Sequence, residues 1–214
     1  MTRSIKTLYS LLTILLLLSC SDERSEYPSV LTRLVIAETN NEGRLSVIRV
    51  DNGPVLHVNK IRRNSLPTDA DALIRSVASY KQNLEFDEAD IFDIAPVPVI
   101  IPTLALESTV DVQSPVTYIR GWVAGGFLNL ELGIKAVKLN LHTVGFSEVA
   151  SDEPNVIQLE FTHDKGGDID GATQEILVSI PLQKYNELFP DKDYIIDLKV
   201  KAFDVGVISR EFKP

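Results

Sequence analysis

The sequence predicts an all-β chain, a small OB-type barrel followed by an immunoglobulin-like β-sandwich. Three observations carry that expectation. Apolar and polar residues alternate with a period of two through most of the chain after Leu31, the mark of strands with one dry and one wet face. Turn-forming groups such as Asp51, Asn52 and Gly53 recur between the alternating runs. A stretch carrying Pro96, Pro98, Pro102 and Pro115 separates an earlier group of strands from a later one.

The earlier group occupies residues 31–96. Leu34 and Ile36 against Arg33 and Val35 open it, and Leu45, Val47 and Arg49 then alternate with Ser46, Ile48 and Val50. The Asp51 to Gly53 turn leads into Val55 to Ile61. Leu73 to Tyr80 reads as a further strand, although Ala70 to Ser79 also suits a short helix, and Phe86 to Ile94 completes five. Five short strands in a segment of that length point to an OB-like barrel.

Residues 97–214 form the second expected domain, with a proline-rich connection over 95–116. Proline donates no ladder hydrogen bond, so that connection is a poor interior strand and a good edge or linker. Tyr118 to Val123 comes first. Leu128, Leu130 and Leu132 then alternate with Asn129 and Glu131, and Val137, Leu139 and Leu141 with Lys138 and Asn140. Ile157, Leu159 and Phe161, then Ile176, Val178 and Ile180, then Tyr194 to Val200 continue the pattern, and Val207 to Phe212 closes it. About seven strands of this size make a two-sheet sandwich. Only Leu182 to Phe189, stopped by Pro190, looks helical.

The N-terminus predicts an address. Arg3 and Lys6 precede an apolar run from Leu8 to Leu18, which falls within the roughly 7–15 residues of a signal core and short of the about 20 needed to span a bilayer. The run closes on Leu17, Leu18, Ser19 and Cys20. Ordinary secretory cleavage asks for a small residue where Leu17 stands, whereas lipoprotein processing asks for leucine there and a cysteine after the cut. Residues 1–19 are therefore expected to be a lipoprotein signal peptide, with Cys20 the lipidated residue. Two or three acyl chains at about 0.8 kcal/mol per buried CH₂ hold a protein firmly. Residues 20–30 are polar and without period, a spacer between lipid and fold. Ser21, Asp22 and Glu23, directly after the cysteine, resemble the acidic export signal of lipoproteins of the Bacteroidota; that resemblance implies an outer-membrane protein on the cell surface, with a periplasm-facing anchor and a merely soluble spacer as the alternatives. Cys20 is the only cysteine, so no intrachain disulfide is available to the fold.

Composition narrows function. Arg3 and Lys6 leave with the signal, moving the formal charge from −9 to −11, and a chain this acidic repels nucleic acid. The barrel segment offers few aromatic platforms (Tyr80, Phe86, Phe92), and its small basic group Lys60, Arg62 and Arg63 reads as a solvated strand end. His57, His142 and His163 are scattered over different strands, with no spacing that joins two on one face to a third metal ligand. The run from His163 to Gly171 resembles a calcium loop in its Asp164, Asp168 and Asp170. Its spacing departs from an EF-hand, and a hairpin loop with glycines at positive φ and capping aspartates is the preferred reading. Trp122 is expected as a buried ring plugging the sandwich rather than an exposed platform. No serine sits in a nucleophile elbow. No catalytic, cofactor or metal residue is assigned; the expected role is binding or protection, with a possible protein or glycan partner at the envelope.

Certain runs carry a family resemblance. Trp122 with Gly126, Phe127, Leu128, Asn129 and Leu130, Leu159 to Asp164 with Gly167 and Asp168, and the closing Ile196 to Asp204 resemble the C-terminal strands of the NigD-like lipoproteins. The resemblance extends through residues 31–214, more loosely in the first half, where few of the family's aromatic positions recur and Leu66 to Ala72 replaces a short turn. It implies a lipoprotein signal, an N-terminal OB domain and a C-terminal β-sandwich in a protein of Bacteroides or its relatives. It also implies a bacteriocin-immunity role as the alternative to a general binding module; a carboxylate-based glycan hydrolase is the more remote alternative. The resemblance supplies no catalytic residues.

Overall fold

The computed structural model describes residues 29–83 and 85–214; the leader, Cys20 and Ser21, Asp22 and Glu23 lie outside the described residues. The all-β expectation holds. Strands β1 (Val30–Thr39), β2 (Leu45–Val50), β3 (Val55–Ile61), β4 (Leu73–Asn83) and β5 (Glu88–Pro96) close into a barrel in the order β1-β2-β3-β5-β4. β3 and β5 pair in parallel and the other neighbours are antiparallel, which returns the sheet upon itself and leaves no open edge. The helical alternative for Ala70 to Ser79 fails: Leu73 to Lys81 pair residue by residue with β1 from Glu38 back to Val30. Phase also differs from expectation at the start of β1, where Val35 and Ala37, both fully buried, face the barrel core with Ile48, Leu56, Ala78, Tyr80, Ile91 and Ile94.

The second half forms two sheets. β6 (Thr103–Ala105), β9 (Thr143–Val149), β10 (Val156–Asp164), β12 (Ile195–Ala202) and β13 (Gly206–Phe212) make one, in the order β13-β12-β10-β9-β6. β7 (Thr117–Ala124), β8 (Phe127–Ala136) and β11 (Ala172–Pro181) make the other, in the order β11-β8-β7. Leu128, Leu130, Leu132 and Ile134 of β8 meet Leu159, Phe161, Ile196, Leu198 and Val200 between the sheets. The proline-rich segment contributes β6 as an edge strand, the place where missing donors cost least. Helix α1 (Gln183–Leu188) carries the chain from β11 back to β12 and buries Tyr185, whose hydroxyl donates to Glu148 (2.6 Å). One expected strand is displaced: Val137 to Leu141 turns through a 3-10 segment, Leu139–Leu141, and the strand runs instead from Thr143.

The two halves are joined by a polar knot. Arg75 of β4 is 4% exposed and directs both terminal nitrogens at the Asp51 carboxylate (2.5 Å each). The same guanidinium donates across the boundary to Asn129 Oδ1 (2.9 Å), approaches Ser179 Oγ (3.4 Å), and lies 4.4 Å from the centre of the Phe127 ring. Ser179 in turn donates to Asn129 Oδ1 (2.8 Å). Backbone reinforces it, because Val97 N–H donates to Arg75 O, and Pro98 and Ile100 exchange hydrogen bonds with Ser179. The β7–β8 hairpin tip seats on the barrel here. Gly125 and Gly126 take φ of +62° and +81°, the two left-handed positions a two-residue hairpin requires. A Cβ on Gly125 would overlap the Asp51 carboxylate.

Removing the guanidinium leaves a carboxylate and an amide with no cation between them. Arg75→Leu is expected to lower unfolding free energy by about 3–5 kcal/mol, the cost of breaking a buried pair from one side. Because the knot spans both halves, urea unfolding followed separately by Trp122 fluorescence and by amide signals of the barrel should lose its coincidence. A single unshifted transition would show that Arg75 does not couple them.

Candidate functional site

A cleft of about 740 Å³ opens between barrel and sandwich, and Asp51, the carboxylate partner of Arg75, is part of its lining. One wall is barrel: Leu31 to Leu34 of β1, Val77, Tyr80 and Gln82 of β4, and the turn from Val50 to Pro54. The facing wall is the outer side of the three-stranded sheet, with Arg120, Trp122 and Ala124 of β7, Glu131 of β8, and Glu175, Ile176 and Leu177 of β11. Strand alternation determines that wall. Arg120 pairs with Glu131 and Trp122 with Asn129 across the β7–β8 ladder, so these four side chains share a face. Arg120 Nε donates to Glu131 Oε2 (2.6 Å), and its guanidinium lies 4.9 Å from the centre of the Trp122 rings.

Trp122 therefore does not plug the sandwich. It stands half-buried on the outer face, because position 122 has the parity of Asn129 while Leu128 and Leu130 have the inward parity. On the barrel wall, Tyr80 is 1% exposed yet its hydroxyl makes no hydrogen bond among the described residues. Burial pushes the phenol above its ordinary value, and the nearby Arg33 guanidinium opposes that rise. Arg33 itself is exposed and forms no ion pair among the described residues. The lining thus combines arginine donors, aromatic rings and apolar side chains, a mixture suited to binding.

The histidines expected to be scattered are in part brought together. His142 follows the 3-10 turn, His163 lies near the end of β10, and their Nδ1 and Nε2 atoms are 2.8 Å apart with the rings stacked. His142 Nε2 is 3.2 Å from Asp168 Oδ2, and His163 Nδ1 is 3.1 Å from the Ser114 carbonyl. They are 21 positions apart in sequence, on segments that meet only because β9 and β10 are antiparallel neighbours. His57 stays apart, exposed on β3. Lys60, Arg62 and Arg63 remain an exposed strand end, with Arg63 paired to Asp93 and Arg62 over the Phe92 ring.

In the loop after His163, Gly166 and Gly167 take φ of +56° and +80°, and Gly166 N–H donates to Asp164. The three aspartates diverge. Asp164 turns back on its own loop, Asp170 faces Lys165 (3.5 Å), and Asp168 caps another segment, accepting the Lys138 (2.7 Å) and Val137 (2.9 Å) N–H groups. The Lys138 N–H leads in holding the Asp168 carboxyl down to about 2, with the His142 ring and the Ile169 and Val137 amides adding to it against the effect of burial. No group of three or more His, Cys, Asp or Glu side chains gathers in metal-binding geometry among the described residues.

Arg75, Asn129 and Ser179 escaped the sequence reading because each lies on a strand face that alternation marks as wet. The available signal was weak: an arginine between Ile74 and Val77, and an asparagine flanked by leucines.

Asp168 has its charge favoured in the fold, so its contribution to stability is present above the ordinary carboxylate value and is lost as pH falls through that range toward about 2. The stability advantage of the native chain over Asp168→Asn should accordingly shrink as urea midpoints are taken from mildly acidic buffer toward that lower value. An advantage independent of pH would remove the carboxylate from this role.

Comparison with known proteins agrees with this architecture. No curated protein sequence matches the chain. Among solved structures, a NigD-like immunity protein from Bacteroides caccae aligns at a TM-score of 0.70 and 22% identity, covering 88% of this chain and 99% of that one. A protein of unknown function from Bacteroides vulgatus aligns at 0.69 and 17% identity, covering 87% and 91%. A candidate lipoprotein from Bacteroides fragilis aligns at 0.57 and 11% identity, covering 86% and 98%. At these identities the likeness is one of fold. The family described as the NigD-like C-terminal beta sandwich domain matches residues 103–214, more than half of the chain, and the chain belongs to the NigD-like family.

Proposed function

We propose that this is a non-catalytic binding protein of the cell envelope, tethered to the outer membrane through lipid on Cys20, displayed at the cell surface, and receiving a protein partner in the interdomain cleft. The cleft carries the reading: both halves build it, the Arg75 knot fixes its walls, and its donors at Arg33 and Tyr80 have no partner among the described residues. Leu31, Leu34, Ile176 and Leu177 line it beside Trp122, a mixture that suits an extended polypeptide with a carboxylate near Arg33 better than a glycan. For the tether, support comes from the leader sequence and from the likeness to a candidate lipoprotein. No helix among the described residues is long and apolar enough to cross a membrane.

The name of the Bacteroides caccae relative favours a second reading, in which the partner is a toxin and the protein protects its producer. The two readings share the cleft and differ in the occupant, so a toxin gene beside this one and loss of protection on its deletion would select the second.

Cys20→Ala should move the protein from the membrane to the soluble fraction and abolish lipid labelling; unchanged membrane retention would overturn the tether. A photo-crosslinking residue in place of Gln82, inside the cleft, should capture one protein from living cells, while the same residue in place of exposed His57 should not. Arg33→Glu should weaken that capture about tenfold, equivalent to ~1.4 kcal/mol. Equal labelling from both positions would reject the cleft as the binding surface.

A further inference from the structure

The contacts around His142 and His163 determine how many protons the two rings hold. A backbone carbonyl can only accept, so His163 Nδ1, facing the Ser114 oxygen at 3.1 Å, carries a hydrogen. Asp168 Oδ2 already accepts the Val137 and Lys138 N–H groups, so it is an acceptor toward His142 as well, and His142 Nε2 at 3.2 Å carries a hydrogen too. One more proton must lie between His142 Nδ1 and His163 Nε2, because two bare nitrogens would repel at 2.8 Å. Two neutral imidazoles hold two protons between them. This arrangement needs three.

We propose that His142 and His163 form a proton-binding latch, sharing three protons and one positive charge that the Asp168 carboxylate neutralises, and that the latch fastens three chain segments together in a pH-dependent way.

The three segments are separate in sequence. Ser114 and Gln113 belong to the stretch before β7 and are bonded to the His163 backbone from both sides, with Ser114 N–H donating to His163 O and His163 N–H donating to Gln113 Oε1. Val137 and Lys138 directly follow β8 and lead into the turn that carries His142. Asp168 sits in the loop after β10. The His142 side chain is 1% exposed and that of Asp168 is 5%, so water does not take over a lost contact without movement. Burial holds His163 below the ordinary imidazole value. The Asp168 carboxylate lies against His142, 3.2 Å from its Nε2, so the shared charge is nearest its counter-charge on that ring.

Other charges face the pair. Asp164 and Lys165 flank His163 on the β10 end and act on it in opposite directions. Lys135 from β8 and Asp170 from the loop line a cavity of about 230 Å³ beside the rings, together with Pro115 and Phe203. Lys165 and Asp170 pair with each other, and Lys135 lies 4.2 Å from the centre of the Phe203 ring. These groups leave the Asp168 carboxylate as the direct counter-charge of the latch.

The sign of the pH effect follows. The three contacts are complete only while the pair holds three protons, so their contribution to stability fades as pH rises and the third proton leaves. At that point either the His142–Asp168 or the His142–His163 contact becomes two acceptors face to face. On the acid side a fourth proton would put two donors face to face across the 2.8 Å contact, so the latch opens there as well. It holds in a window between the two and releases outside it.

Nitrogen-15 NMR of the histidine rings in the native chain tests this, with exposed His57 as the internal reference. Near neutral pH, one ring of the pair should show the pattern of an imidazolium and the other that of a neutral ring protonated on Nδ1. Raising the pH should remove the imidazolium pattern and, over the same range, speed amide exchange at least tenfold in residues 164–170. His163→Gln should abolish the coupled pH dependence of exchange. If that variant does not fold, the ring pattern of the native chain decides alone. Two neutral rings at neutral pH, or an imidazolium lost with no change in exchange, would overturn the latch.

Discussion

A single buried guanidinium organises the relation between the two halves of this protein. Arg75 is planar and carries five donors, so it can meet Asp51 with two nitrogens, reach Asn129 and Ser179 beyond the domain boundary, and lie against Phe127 at once. Lysine, a point charge on a flexible stem, satisfies no such set. A buried ion pair is a weak source of net stability, because desolvating both charges offsets much of their attraction. What it supplies here is orientation, since apolar contact between a barrel and a sheet could slide by a residue, whereas four hydrogen-bonded groups and the Gly125 tip fit in one arrangement.

The cleft is a consequence of that arrangement. The three-stranded sheet meets the barrel at Phe127, Asn129 and Ser179 and diverges from it toward Arg120, Glu131 and Glu175. Twist makes such divergence natural, because a sheet face and a barrel wall cannot stay parallel over many residues. Residues that would otherwise be plain surface, such as Arg120 and Trp122, become the lining of a wedge. The histidine latch lies elsewhere, where the β8 end, the segment before β7 and the loop after β10 converge. Each knot ties segments distant in sequence, and each uses polar groups whose partners are absent unless the tertiary fold is correct.

The strand content was legible because period-two alternation is a local property. The leucines of β8, the Ile196 to Val200 run of β12 and the glycine turns all read correctly, and the proline-rich segment was read as a connection or edge and supplies β6. Errors fell where a local signal was ambiguous. Ala70 to Ser79 has residues compatible with helix, and only pairing with β1 makes it strand. Val137 to Leu141 alternates as a strand does, yet the Val137 and Lys138 amides bond the Asp168 side chain instead of a neighbouring strand.

By itself the sequence determined the class of fold, the approximate strands, the absence of a disulfide and an expected address at Cys20, because each depends on residue type and spacing along the chain. Tertiary structure alone decided which polar residues are buried. Alternation distinguishes two faces of a strand but not what lies against the second one. Asn129 and Ser179 have the sequence environment of solvent-facing residues and are fully buried, because the barrel covers them. His142 and His163 are unremarkable singly and become a coupled pair, because antiparallel pairing of β9 with β10 brings their ends together.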